Sequence, residues 1–365
     1  MQRRSFLASG AAGLALLSAP RRAGAAPPGD VLRLNFNENP LGLSPAARRA
    51  VIDGLPEGNR YPAAARADLE RTLAELHGVG PEHLVVGAGS TDVLRMAVQA
   101  SAAPHARFVI ADPTFEDIEG YGMRFGVAPV KVPLTRDGGH DLDRMRRATA
   151  GIAPALVFLC NPNNPTGTLT PSAHIDAWIA DARRNVRFIV DEAYFEYVDD
   201  PSYWSALAWV KDRPNVIVIR TFSKIYGMAG MRLGYGIAHP ETAAALRRHQ
   251  GRNNVSHVTL VAALASLRDQ DLVPRARAAN REARDILLHV LEELGLEHLP
   301  SHTNFVMHQV PGDLETYIER MREHDVLVGR PFAPMLAWSR VSLGTPAEME
   351  RFATVLREFR EKGWV

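Results

Sequence analysis

Between residues 83 and 238, short β-branched runs alternate with helical patterns, and this alternation limits the fold more than any other feature of the chain. The runs cover residues 83–86, 107–111, 155–160, 187–190, 216–219 and 233–237, with helical patterns at 91–102 and 171–184. Pro171, after Thr170, suits the first position of a helix. Such alternation predicts an α/β fold, with a mostly parallel central sheet flanked by helices on both faces. Sheets of this kind bind ligands outside the carboxyl ends of their strands. From about residue 240 the pattern changes. Helical stretches at 240–250, 258–268 and 272–294 precede a strand-like 304–310, then helix, strand, strand and a last helix from 346 to about 362. That order predicts a smaller α+β domain. Residues 27–50 carry Pro27, Pro28, Pro40 and Pro45 and read as an extended arm leading into a helix. The expected division is an arm at 26–50 belonging to the small domain, a large domain at 51–245 and the small C-terminal domain at 246–365.

With 365 residues, 46% hydrophobic and 23% charged, the chain can bury a core, which excludes a mainly disordered protein. Lys+Arg at 42 against Asp+Glu at 41 leaves a net charge of +1 without a long basic run, so no nucleic-acid partner is expected. The single cysteine, Cys160, excludes an internal disulfide and a multi-cysteine metal site, and reads as a small buried hydrophobe. His298 and His302 have metal-like spacing, but Pro300 between them opposes a helix, and no metal site is expected.

The first 25 residues read as an address. Arg3-Arg4 is followed by Ser5-Phe6-Leu7, a weakly apolar stretch to Ala19, and the small residues Ala23-Gly24-Ala25. That order is the layout of a bacterial signal peptide, and the paired arginines resemble the twin-arginine class. The apolar part is too short and too rich in Gly and Ala to span a bilayer, so no stable membrane insertion is expected. Removing residues 1–25 takes away four arginines and no acid, which moves the net charge from +1 to −3. The twin-arginine route carries folded proteins and suits one that acquires a cofactor before export to the periplasm or medium.

Polar clusters follow the runs of the large domain. Gly87-Ala88-Gly89-Ser90-Thr91-Asp92 opens a helix after the first run. It is either a phosphate cradle, with free N–H groups at the helix start, or an ordinary glycine-rich turn. Asn161-Pro162-Asn163-Asn164-Pro165-Thr166-Gly167 reads as a rigid connection, but that reading leaves the amides of Asn163 and Asn164 unexplained at a ligand-binding edge. Asp191, directly after an apolar run, is either a helix cap or a half-buried carboxylate in need of a cation. Lys224, in Thr221-Phe222-Ser223-Lys224, stands where a solvated cation is out of place. Desolvation would lower its pKa and make it a nucleophile toward carbonyls. Arg232 could bind a phosphate through paired N–H groups.

In their order and spacing these clusters resemble the class I/II, fold-type-I aminotransferases that use pyridoxal 5'-phosphate, nearest to the histidinol-phosphate aminotransferase-like branch. The resemblance runs from Leu34-Asn35-Phe36-Asn37-Glu38-Asn39-Pro40 to Arg340-Val341-Ser342-Leu343-Gly344-Thr345. It implies that Lys224 forms a Schiff base with the cofactor and shuttles the proton between substrate and cofactor. Asp191 would keep the pyridine nitrogen protonated. Asn164 and Tyr194 would hydrogen-bond the ring's 3-oxygen. Phe115 would stack on the ring, where many relatives carry Tyr. Gly89, Ser90, Thr91, Thr221, Ser223 and Arg232 would hold the phosphate. Tyr61 would reach the phosphate of the partner's cofactor, which implies a homodimer with shared active sites. Arg340 would clamp the substrate α-carboxylate with help from Asn39, and Trp338, Tyr226 and Phe332 would flank the side-chain pocket.

The resemblance implies an aminotransferase that moves an amino group from an amino acid to a 2-oxo acid. The donor would be histidinol-phosphate-like, aromatic or otherwise bulky. An amino-acid phosphate decarboxylase of the same fold and a non-catalytic binding protein are the alternatives. An intact Lys224 speaks against the second.

Overall fold

The computed structural model describes residues 31–103, 105–150 and 154–365; the leader read at residues 1–25 lies outside them. The chain begins with β1 (Leu32–Leu34), α1 (Pro45–Gly54), α2 (Ala63–His77), β2 (Leu84–Gly87), α3 (Ser90–Ser101), β3 (Arg107–Asp112), α4 (Asp117–Arg124), β4 (Pro129–Pro133) and α5 (Leu142–Thr149). It continues through β5 (Ala155–Cys160), α6 (Ser172–Asp181), β6 (Val186–Asp191), β7 (Val216–Thr221), β8 (Gly234–Ala238), α7 (Pro240–Arg247) and α8 (His257–Arg268). Last come α9 (Leu272–Glu293), β9 (Phe305–Gln309), α10 (Leu314–Glu323), β10 (Val326–Val328), β11 (Trp338–Ser342) and α11 (Pro346–Glu361).

Seven strands form the central sheet in the order β2-β8-β7-β6-β5-β3-β4. Only β8 runs against its neighbours; the rest are parallel. Every residue of β5 and β7 is buried, as a sheet covered on both faces requires. Alternate residues of one strand enter different cores. Val157, Leu159, Val190 and Val218 join one apolar cluster, and Phe158, Ile189, Ile217 and Ile219 join the cluster on the opposite face. In register, Cys160 lies beside Asp191 and Asp191 beside Ile219. The carboxyl ends of β5, β6 and β7 therefore reach one edge together.

Two details depart from the sequence reading. β4 was not expected; it is the edge strand, bounded by Pro129 and Pro133, with Val130 and Lys131 exposed. An edge strand tolerates both the prolines and the missing alternation. The α6 helix starts at Ser172 with Pro171 as its cap, and it ends before Ala182, whose backbone is extended.

The C-terminal elements build a second core. β9 and β11 pair antiparallel, while β1 pairs in parallel with β10. Leu32 and Leu34 of the arm pack there with Val290, Leu291, Val341 and Leu356. The 22-residue α9 serves both cores, burying Leu272 and Ala276 in the first and Leu287 and Val290 in the second. At about 1.5 Å per residue it runs some 33 Å. No helix among the described residues is long and apolar enough to cross a membrane.

Candidate active site

A cavity of about 690 Å³ opens at the carboxyl ends of the parallel strands. Asp191, the last residue of β6, is 3% exposed and accepts the Ala193 N–H at 3.1 Å. Among the described residues no cation pairs with it. Burial, with Glu192 next to it, pushes its carboxyl up to about 7, although the Ala193 N–H and Lys224 pull the other way. The chain has thus buried a carboxyl group at some cost, in a place where a cationic partner would stabilise its ionised form.

Lys224 follows β7 on a turn braced by the Ser223 N–H, which donates to Thr221 Oγ1 at 3.0 Å. Its Nζ donates to the carbonyls of Asn37 at 3.0 Å and Phe36 at 3.4 Å. It also lies 5.6 Å from the centre of the Tyr194 ring. Burial, and then the positive field of Arg340, draw its pKa down to about 8. The Tyr194 hydroxyl accepts from Asn37 Nδ2 at 3.2 Å, and burial raises its pKa above the usual phenol value. Phe115, Asn164, Thr221 and Ser223 line the same cavity.

One wall is made for an anion. Ser90 and Thr91 begin α3, whose first N–H groups have no partner within the helix. Gly89 caps it at φ +88°, where a Cβ would come 2.2 Å from Arg232 Nη2. Across the turn, a Cβ on Gly234 would fall 2.2 Å from the Ser90 nitrogen. Two glycines thus let the helix start, β8 and Arg232 crowd together. Arg232 Nη2 donates to Thr91 Oγ1 at 3.2 Å, and its Nη1 to the Ala229 carbonyl at 3.0 Å.

On the opposite wall stands Arg340 of β11, 7% exposed. Its Nη1 donates to Asn164 Oδ1 at 2.7 Å and its Nη2 to the Asn35 carbonyl at 2.9 Å, while its buried Nε has no partner. Burial lowers its pKa to about 10. No carboxylate among the described residues pairs with it.

Several residues picked from the sequence stand elsewhere. Asn39 donates to the Ile225 carbonyl at 2.8 Å and accepts the Leu41 N–H at 3.0 Å, and it lines a separate cavity of about 370 Å³. Its amide is spent on Ile225 and Leu41, and Asn37 faces the main cavity instead. Of the three aromatics expected around the side chain, Phe332 lines the cavity. Tyr226 packs on Phe222 at 4.8 Å inside the large core, and Trp338 pairs with Gln309 at the end of β11. Gly89 lies behind the cavity surface. Tyr61, 83% exposed, is outside it. Asn163 and Asn164, in the loop after β5, divide their work. Asn163 Nδ2 donates to the Pro113 carbonyl and Thr166 Oγ1 and so ties the loop, while Asn164 faces the cavity. Asn35, Phe36, Asn37, Glu116 and Arg330 line the cavity without having been singled out. The positive φ of Asn37 and its 2% exposure mark it in the structure, but nothing periodic in the sequence does.

The model for the family described as aminotransferase class I and II matches residues 29–356. A histidinol-phosphate aminotransferase of Moorella thermoacetica is 39% identical over 334 residues, covering 90% of this chain and 85% of the relative. A solved structure from Erwinia carotovora atroseptica, provisionally named a histidinol-phosphate aminotransferase, superposes with a TM-score of 0.91 at 41% identity. It covers 92% of this chain and 98% of that one. The histidinol-phosphate aminotransferase of Sinorhizobium meliloti, crystallised with pyridoxal-5'-phosphate, gives a TM-score of 0.84 at 29% identity over 90% of this chain and 91% of its own.

Proposed function

The chain belongs to the class I and II aminotransferases and uses pyridoxal phosphate, and from that premise we propose which residues carry the reaction and what kind of donor they accept. The observation that carries the proposal is the presence, at and just beyond adjacent strand ends and on one cavity wall, of a buried carboxyl group and a half-buried amine. Asp191 is a carboxylate without a cation, and Lys224 is an amine with a lowered pKa. Pyridoxal phosphate fits these groups and the unoccupied N–H groups at the start of α3. Its ring nitrogen would meet Asp191, its phosphate Ser90, Thr91, Thr221, Ser223 and Arg232, and its ring face Phe115. Asn164 and Tyr194 would serve its 3-oxygen.

When bound, the cofactor supplies a carbonyl that condenses with amines and a ring that withdraws electrons from the carbon beside that nitrogen. Asp191 holds a proton on the ring nitrogen and so maintains that withdrawal. Nζ of Lys224 would hold the cofactor through its carbonyl and would move the proton between the substrate α-carbon and the cofactor. A pKa near 8 leaves a useful neutral fraction at mildly alkaline pH. Arg340 receives the α-carboxylate, and its unpartnered Nε supports that role.

The donor is bulky, of an aromatic or histidinol-phosphate-like kind. The apolar side chains of Phe36, Ile318, Val328 and Phe332 on the cavity wall support that size. The acceptor is a 2-oxo acid. The enzyme works as a homodimer in which Tyr61 serves the partner's site, and residues 1–25 direct its export. A panel of amino donors, added to the cofactor-loaded protein, tests the assignment. Bulky donors should discharge the visible absorbance and yield the matching 2-oxo acids, and Lys224→Ala should lose turnover while keeping its fold. A panel without any responding donor, or substantial turnover by Lys224→Ala, would refute it.

A further inference from the structure

Behind the cavity, on the far side of the strand ends, lies a buried ion cluster. Arg220 is 5% exposed. It donates to Glu192 Oε2 from Nε at 3.1 Å and from Nη2 at 2.8 Å, and its Nη1 stands 3.7 Å from Glu196 Oε1. The ring of Phe195 covers the guanidinium at 3.6 Å. Glu192 further accepts from the Ser205 hydroxyl and, at 2.8 Å, from the Ala206 N–H, so its carboxylate is fully engaged. Burial acts to lower the pKa of Arg220, but Glu192 and Glu196 more than reverse this and hold the guanidinium charged. Burial raises that of Glu196. Tyr203, Tyr226 and Tyr235 surround the cluster, and His77 Nε2 sits 2.9 Å from the Tyr235 hydroxyl with its pKa drawn down to about 4, first by burial and then by Arg220.

A buried ion pair is a poor way to gain stability, because apolar residues of equal volume often do as well or better. The place of this one suggests another use. Glu192 directly follows Asp191, and Glu196 lies two residues past Tyr194. Arg220 precedes Lys224 by four residues on the adjoining strand, and the Glu192 N–H donates to the Ile219 carbonyl at 2.9 Å. The cluster therefore joins the turn that carries Asp191 and Tyr194 to the strand that delivers Thr221, Ser223 and Lys224.

We propose that Arg220, Glu192 and Glu196 form a positioning cluster, which fixes Asp191 against Lys224 and sets the charge that the cofactor ring and its lysine link experience. The inference rests on the roles given above to Asp191 and Lys224. Glu192 is the negative neighbour that strengthens the hold of Asp191 on a proton. Arg220 carries the opposite charge and donates to that same Glu192 carboxylate at 2.8 Å.

Opposite substitutions should act in opposite directions. Glu192→Gln removes a negative charge, so the protonated forms of the ring and of the lysine link lose support. The pH midpoint of the visible absorbance of the loaded protein should fall by about half a unit or more, and the cofactor dissociation constant should rise about tenfold. Arg220→Met removes the opposing cation and should raise the midpoint. If Arg220→Met fails to fold, the fall in Glu192→Gln decides alone. Midpoints that stay together or move in the same direction, with only the melting temperature reduced, would make the cluster structural and overturn the proposal. Failure of the parent protein to develop any visible band with pyridoxal phosphate would instead strike the roles of Asp191 and Lys224.

Discussion

Asp191 gives the cofactor-free protein a measurable weakness. Its folded pKa of about 7 lies above the ordinary carboxylate value, so the folded form keeps a proton that the unfolded chain releases. Stability from this group is therefore lost as the pH rises from about 4 to about 7, and the loss is complete above that window. Lys224 acts later and in the opposite sense. Its folded pKa of about 8 lies below that of free lysine, so stability returns as the pH rises beyond it. Asp191→Asn removes the first penalty. The cofactor-free variant should melt higher than the parent at pH 8, by roughly 2–4 kcal/mol of stability, and about equally at pH 4. Loaded with cofactor, it should be slower by orders of magnitude. Paired melting curves and single-turnover rates check both halves, and a variant that is no more stable at pH 8 would contradict the buried, unpaired state. Asp191 and Lys224 were legible in the sequence because each places a charge at the end of an apolar run, where solvation cannot explain it. Asn37 was not. It lies on an irregular arm, and only folding decides that Asn37 faces the cavity while Asn39 turns its amide to Ile225 and Leu41.

The phosphate wall belongs to elements rather than to single side chains. The start of α3 approaches β8 so closely that Gly234 has no room for a methyl group, with the Ser90 nitrogen at 2.2 Å and the Ser90 Cα at 2.6 Å from where it would stand. Gly234→Ala must push the helix start outward. Overpacking of this kind costs about 1–3 kcal/mol. The shift also moves the N–H groups that would meet the phosphate, so cofactor affinity should fall much more than the folding loss explains, while affinity for a phosphate-free analogue such as pyridoxal should change little. Equal loss for the two ligands would mean that the helix start does not hold the phosphate. The strands themselves could be read because a sheet buried on both faces leaves long apolar runs, as in β5 and β7. The same reasoning missed β4, whose five residues are largely exposed, and it could not foresee that β1 pairs with β10 across nearly the whole length of the chain. Pairing between distant short strands leaves no local trace.

Export and assembly can each be tested directly on the intact protein. The paired arginines Arg3 and Arg4 should be needed for export, so changing both to lysine should trap the precursor in the cytoplasm. Equal recovery of parent and variant outside the cytoplasm would remove the leader from the account. Assembly turns on Tyr61. Tyr61 is 83% exposed, and Leu41, Ile52 and Leu55 are exposed along the same stretch of chain, a set of apolar side chains of the kind that marks an interaction surface. If a closed two-fold dimer covers this face, each active site draws Lys224 from one subunit and Tyr61 from the other. Tyr61→Ala and Lys224→Ala should then complement each other. Each variant alone should be nearly inactive or strongly impaired at limiting cofactor. When the two are unfolded together and refolded at equal amounts, half of the dimers are mixed, and each mixed dimer contains one site with both residues intact. Activity should return to about a quarter of the unmodified level, a value set by symmetry and chance pairing alone. Recovery no greater than the mean of the two separate variants would mean that Tyr61 serves its own subunit or none, and the shared site would have to be abandoned even if the protein proved dimeric.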